Sequence, residues 1–135
     1  RKKEGDLKTP KGIFKLGLLY FRKDRVKYIK SKIKKRIIQK NYGWCDDQNN
    51  KKYNQQIKFP FKGGAEKLYR KDKIYDLLIN IKYNQSPVTR GKGSAIFLHL
   101  CSNNYRSTKG CIAITRTDFN KIIPLIDKKT KILIK

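Results

Sequence analysis

Residues 74–81, Ile-Tyr-Asp-Leu-Leu-Ile-Asn-Ile, constrain the fold more than any other stretch. The run is apolar on both faces at its centre, so it has to lie centrally in a sheet that is covered on both sides. Other segments add strands to it. Ile13, Phe14, Leu16, Leu18 and Tyr20 partly alternate, with Gly12 and Gly17 marking a turn and a bulge. Lys131–Ile134 closes the chain as another strand. The remaining elements are few. Val26, Ile29, Ile33 and Ile37 fit a helical stripe within the basic segment 22–40, although its β-branched content equally suits strand. Residues 65–68, Ala-Glu-Lys-Leu, open a short helix. Asp118 serves as N-cap for a helix from 119 to about 127, which buries Phe119, Ile122, Ile123 and Ile126 and is interrupted by Pro124. Residues 1–11, with Pro10, are an exposed loop. Strands outnumber helices, and the chain reads as one mainly β domain over 1–135.

Two short apolar runs, 95–98 and 112–114, flank a polar segment and read as adjacent or nearby strands. The first ends at His99, the only histidine, and the second begins just after Gly110-Cys111. This puts an imidazole at the end of one strand and a thiol at the start of another. A thiol attacks as thiolate, and a neighbouring imidazole takes its proton. Gly110 removes a side chain next to the sulfur, so the backbone N–H groups of Lys109, Gly110 and Cys111 can face a developing oxyanion.

The net charge of +25 favours polyanionic partners such as nucleic acid, an anionic membrane face or an acidic wall polymer. Compositional drift explains it equally well, since lysine outnumbers arginine and Asn and Ile are frequent. Specific nucleic-acid readers favour arginine. No apolar run approaches the roughly 20 residues of a membrane span. Cys45, Cys101 and Cys111 are too few for a disulfide scaffold and lack zinc-site spacing. Cys45 either pairs with Cys101 or both are reduced. Gly43 to Asp47, Gly-Trp-Cys-Asp-Asp, form a second cluster of chemical groups at a turn. Trp44, Asp46 and Asp47 are candidate substrate contacts, the acids for an ammonium; alternatively the acids cap the turn.

Thr108-Lys109-Gly110-Cys111, preceded by a strand ending in His99, resembles the Ser/Thr-His-Gly-Cys motif of L,D-transpeptidases of the YkuD type. Glu-Gly-Asp-Leu-Lys-Thr-Pro-Lys-Gly-Ile-Phe (4–14) is similar to that family's Thr-Pro-x-Gly-x-Phe entry motif. Gly-Trp-Cys-Asp-Asp (43–47), Tyr53-Asn54, Tyr-Asp-Leu (75–77) and Gly-Lys-Gly-Ser-Ala-Ile-Phe-Leu-His (91–99) resemble a compact bacterial branch of it. Lys109 stands where the motif has histidine, and the 100–107 loop is shorter than the typical family gap.

The resemblance implies an L,D-transpeptidase-like β-sandwich or barrel with one or two short helices, and an extended segment before the Gly43–Asp47 turn with Ile37-Ile38 in a strand. It implies a cysteine acyltransferase acting on peptidoglycan stem peptides. In that chemistry Cys111 attacks the carbonyl linking the third residue to terminal D-alanine, and His99 shuttles the proton. A thioester forms and is passed to an amine, giving a 3→3 crosslink, or to water, giving carboxypeptidase activity. Thr108 and Lys109 join the candidate substrate contacts, and the Lys109 cation favours the thiolate. No metal or organic cofactor is expected, the expected location is the bacterial cell envelope or periplasm, and the sequence leaves the oligomeric state open, with a monomer as the expectation. The rival is a non-enzymatic basic nucleic-acid-binding protein. It needs neither His99 nor Cys111 and lacks a recognisable reader motif.

Overall fold

The computed structural model describes residues 2–101 and 110–135. The principal sheet has six strands. Its path runs β2 (Lys35–Ile37), β1 (Gly12–Phe21), β6 (Leu77–Ile81), β7 (Phe97–Leu100), β8 (Ile112–Ile114), and β9 (Lys131–Ile134) pairs with the first half of β1. The expected central strand is β6, buried at every position between β1 and β7, although it covers only Leu77–Ile81 of the 74–81 run, since Ile74, Tyr75 and Asp76 lie in a turn ahead of it. Alternation divides its side chains between two cores. Leu77, Ile79 and Ile81 face a layer containing Phe119, Ile123 and Ile126, whereas Leu78 faces Trp44, Tyr75 and Phe97. A second sheet, β4 (Gln56–Lys58), β3 (Tyr42–Cys45) and β5 (Ala65–Lys67), covers that second face. The result is a mainly β structure of two sheets with one short α-helix.

The expected bulge lies in β1, whose register against β6 shifts between Leu16 and Leu19. Gly17 sits there, and a Cβ on it would meet Asn80 Nδ2 at 2.8 Å.

Three expectations need correction, and the alternatives left open for the basic segment are decided. Residues 65–68 form no helix, because β5 pairs antiparallel with β3 and the pairing outweighs the helical preference of Ala-Glu-Lys-Leu. Gly43 to Cys45 are not a turn but part of the middle strand of the small sheet, and the turn begins at Asp47, whose carbonyl accepts from the Asn50 N–H. The 26/29/33/37 stripe is not helical: Val26 and Ile33 reach the first core from extended backbone and turns, and β2 runs parallel to β1. The helix α1 spans Arg116–Ile122, one turn earlier than expected, and its N-cap is Thr115. The Thr115 side chain accepts from the Asp118 N–H, which makes Asp118 a first-turn acid favoured by the helix dipole. Pro124 does confine the regular helix, which tightens into a 3-10 turn at Ile123–Leu125.

The N-terminal segment is less exposed than its composition suggests. Pro10 is buried, and the Glu4 carboxylate accepts from Tyr53 OH at 2.7 Å and from Ser94 Oγ at 2.6 Å. Asp6 accepts from the Lys2 ammonium and from the backbone N–H groups of Lys3 and Lys8, and these bonds hold its carboxyl far below the usual range. The segment is thereby tied down beside Gly110.

Candidate active site

β7 and β8 are parallel neighbours with Leu98 opposite Ile112 and His99 opposite Ala113. Strand alternation then puts Phe97 and His99 on one face of β7, and Cys111 and Ala113 on the same face of β8. This is the face covered by the small sheet. Cys111 is 8% exposed and His99 5%.

Each group is held by the backbone around it. Cys111 Sγ donates to Ala95 O at 3.1 Å and accepts from Phe97 N at 3.4 Å. Ala95 adopts a left-handed conformation, φ 54°, which an alanine rarely takes. Asn54 secures it: Oδ1 accepts from the Ala95 N–H at 3.0 Å and from the Trp44 indole N–H at 2.9 Å. The Asn54 Nδ2 group donates to Tyr83 O and Asn84 O. One buried amide thus ties β3, the 83–84 segment and the approach to β7, where Ala95 carries the carbonyl that holds the thiol.

His99 Nδ1 lies 2.8 Å from Leu100 O. A carbonyl only accepts, so Nδ1 carries the proton and Nε2 is left with the lone pair. The Leu100 peptide is itself fixed, its N–H donating to Ile74 O. Tyr75 packs edge-on against the imidazole, ring centroids 5.3 Å apart, and its hydroxyl hydrogen-bonds the Glu66 carboxylate. Phe97 stacks edge-on between Trp44 and Tyr75. Burial and the Glu66 charge push the Tyr75 hydroxyl above its ordinary range.

Burial also sets the charge state of the pair. It pushes the Cys111 thiol up to about 12, against the pull of the Phe97 N–H, and it pushes the His99 imidazole below its ordinary value, against the pull of Leu100 O. Both shifts favour neutral forms, so the resting pair is a thiol and an imidazole rather than an ion pair. Because the thiol proton leaves only as pH rises, alkylation of Cys111 by iodoacetamide at pH 8 is expected to run on the order of a hundredfold or more slower than that of an unperturbed thiol, and to climb steadily with pH. Cys101, which is partly exposed, reacts first, and buried Cys45 lags. Peptide mass spectrometry reads the order, and Cys111 leading at neutral pH would contradict it.

Gly110 adopts φ 86°, and a Cβ there would stand 2.6 Å from Lys8 O, so the position needs glycine on both counts. Thr108 and Lys109, two of the expected substrate contacts and one of the oxyanion donors, lie outside the described residues. Trp44 is buried, its N–H engaged by Asn54; it borders a groove of about 340 Å³ lined also by Tyr20, Arg36, Gln56 and Lys82. Asp47 caps its turn through the Asn49 N–H, and Asp46 is exposed beside Gly64. None of the three cysteines is in a disulfide. Among the described residues no three His, Cys, Asp or Glu side chains group as metal ligands, and no helix is long and apolar enough to cross a membrane.

Sequence reasoning did not assign roles to Asn54, Glu66, Arg70 or Tyr75. The available signal was weak: an Asn closing a polar loop, and an aromatic at the start of the central apolar run. Comparison with curated proteins and with solved structures gave no match. A family model does match, over residues 1–134, and it is that of the L,D-transpeptidase catalytic domain. A thiol and an imidazole on neighbouring strands, the two-sheet architecture and that match agree: the chain belongs to the L,D-transpeptidase catalytic domain (YkuD) family, whose members act on peptidoglycan.

Proposed function

We propose that the protein is a cysteine L,D-transpeptidase of the cell envelope that transfers the acyl group of a peptidoglycan stem peptide from D-alanine to an amine. Cys111 is the nucleophile and His99 the general base and acid. The single observation that supports this best is the β7–β8 pairing, which sets both side chains on one buried face with Nε2 unprotonated.

A neutral starting pair makes proton transfer part of the attack. Nε2 takes the thiol proton as Sγ bonds to the carbonyl carbon of the third stem residue. The oxygen gains charge opposite the backbone N–H groups of Gly110 and Cys111. When the carbonyl re-forms, the C–N bond breaks, the imidazolium gives its proton to the departing nitrogen, and D-alanine leaves. A thioester remains on Cys111. An acceptor amine attacks it, losing its proton to Nε2, and the sulfur recovers that proton as the new amide forms. Asp47 is spent on its turn, so an ammonium-binding role is not assigned to it.

The test is incubation with a tetrapeptide stem, with and without a second stem as acceptor, followed by mass spectrometry. Release of D-alanine, a thioester adduct on the Cys111 peptide and a crosslinked product are expected. Free tripeptide alone would make water the acceptor. Absence of both D-alanine and adduct, with a carbapenem also failing to acylate Cys111, would refute the reading.

A further inference from the structure

The departing D-alanine carries a carboxylate, and the protein must accommodate that charge next to His99. Nε2 has to come within about 3 Å of the leaving nitrogen to protonate it. The carboxylate follows that nitrogen by a single Cα, a reach of about 3–4 Å. An anion partner for it therefore belongs on the imidazole side of the thiol, close to the ring that packs on His99.

That ring is Tyr75, and above it lies a guanidinium. Arg70 Cζ is 5.4 Å from the Tyr75 ring centroid, and the same ring meets His99 edge-on at 5.3 Å. Asp72 orients the guanidinium through a fork, taking Nε at 2.9 Å and Nη2 at 2.6 Å. Nη1 makes no hydrogen bond among the described residues, and the side chain is about a third exposed at 36%. The other charges nearby are committed. Glu66 accepts from Tyr75, and Asp72 is held by Arg70. Arg25, which bonds Asp72 O, pairs with Asp76. Of the cations on the thiol side, the Lys2 ammonium is engaged by Asp6 at 2.6 Å and by Lys3 O at 2.9 Å, whereas the Asp72 fork takes only the Nε and Nη2 edge of the Arg70 guanidinium. His99 also feels Arg70 more than any other described charge, which adds to the depression of its imidazole.

We propose that Arg70 is the carboxylate anchor of the donor, its Nη1 edge binding the terminal carboxylate of the stem peptide on the leaving-group side of His99. The assignment rests on the transpeptidase reading above and names how that site selects its donor. A guanidinium lying 5.4 Å from the centroid of an aromatic ring and forked by one carboxylate is pre-oriented, so little side-chain freedom is lost when a second carboxylate binds. An ammonium would lack the planar fork.

The experiment compares two donors, a stem ending in D-alanine and the same stem ending in D-alaninamide, with wild type, Arg70→Met and Arg70→Lys. Release of D-alanine or D-alaninamide is followed by mass spectrometry, and thermal melting checks that each variant folds. Wild type is expected to prefer the carboxylate donor about 10- to 100-fold in kcat/KM, chiefly through KM, the range of one charge-assisted hydrogen bond. In Arg70→Met the ratio of the two kcat/KM values falls to about one. Arg70→Lys, which keeps the charge and loses the fork, falls between, and decides the matter should the Met variant not fold. A wild-type preference retained in both variants, or both donors slowed in proportion, overturns the anchor and leaves the transpeptidase reading standing. No release from either donor by wild type overturns that reading and the anchor together.

Discussion

Cys111→Ser is expected to abolish D-alanine release, by on the order of 10⁴-fold or more in kcat, while Cys45→Ser and Cys101→Ser keep turnover within a few-fold of wild type. Only Cys111 has its sulfur held between two backbone groups of the β7 strand and its approach, Ala95 O and Phe97 N. Cys45 lies across the second core, buried, with its sulfur toward Asp47 O. His99→Gln should cost about 10²–10⁴-fold, the usual range for a positioned acid–base group. The double variant should be little worse than Cys111→Ser, because the two act as one unit. The pH profile follows from the burial of the imidazole. The base works only when neutral, and its depressed pKa keeps it neutral further into acid, so the acid limb of kcat/KM should fall below the ordinary histidine value of 6.5. Steady-state release assays between pH 4 and 9 read both effects. Retained turnover in Cys111→Ser, or an acid limb well above 6.5, would remove the proposed roles.

The largest expected stability effect is at Asn54, which makes no contact with the proposed reacting atoms. Asn54→Ala strips partners from two buried donors, the Trp44 indole and the Ala95 N–H, and from two carbonyls at Tyr83 and Asn84. Each unsatisfied buried group costs about 1–3 kcal/mol, some of it recovered by relaxation, so a total loss of about 3–5 kcal/mol is expected. For a domain of this size that lowers the melting temperature by about 10–20 °C. Asn54→Asp, which keeps the acceptor for Trp44 and Ala95 but loses both donors, should fall between. Activity at a temperature where the variant is folded should also drop, since Ala95 would no longer be held in its left-handed conformation with its carbonyl on the thiol. A shift under 3 °C for Asn54→Ala would mean that water or neighbouring side chains replace the amide without cost.

Local pattern was enough wherever a segment's own periodicity matched its burial. The continuous apolar run at 74–81 forced a central strand, and its second part, Leu77–Ile81, is that strand. The alternation at 13–20 with Gly17 described β1 and its bulge, because only a residue without Cβ can pass so close to Asn80. The paired apolar runs about the polar segment described β7 and β8, with His99 and Cys111 at their ends. Cys45 and Cys101, whose pairing the sequence left open, form no disulfide.

Tertiary structure decided the rest. Ala65–Lys67 is a helix former in isolation, yet β3 offers it a ladder of backbone hydrogen bonds and the strand wins. The basic stripe at 26–37 had the spacing of a helix, but two neighbouring elements, β1 and the first core, draw its apolar residues in from extended backbone. A charged N-terminus became a docked wall because Glu4 and Asp6 find donors from Tyr53, Ser94, Lys2 and the backbone. Above all, the sequence by itself singled out the two side chains proposed here for acyl transfer, through residue type and the strands that carry them. Their protonation states, the amide at Asn54 that holds the thiol's carbonyl partner, and the Tyr75 ring that meets both His99 and Arg70 depend on burial and on contacts between residues far apart in the chain, which no local pattern encodes.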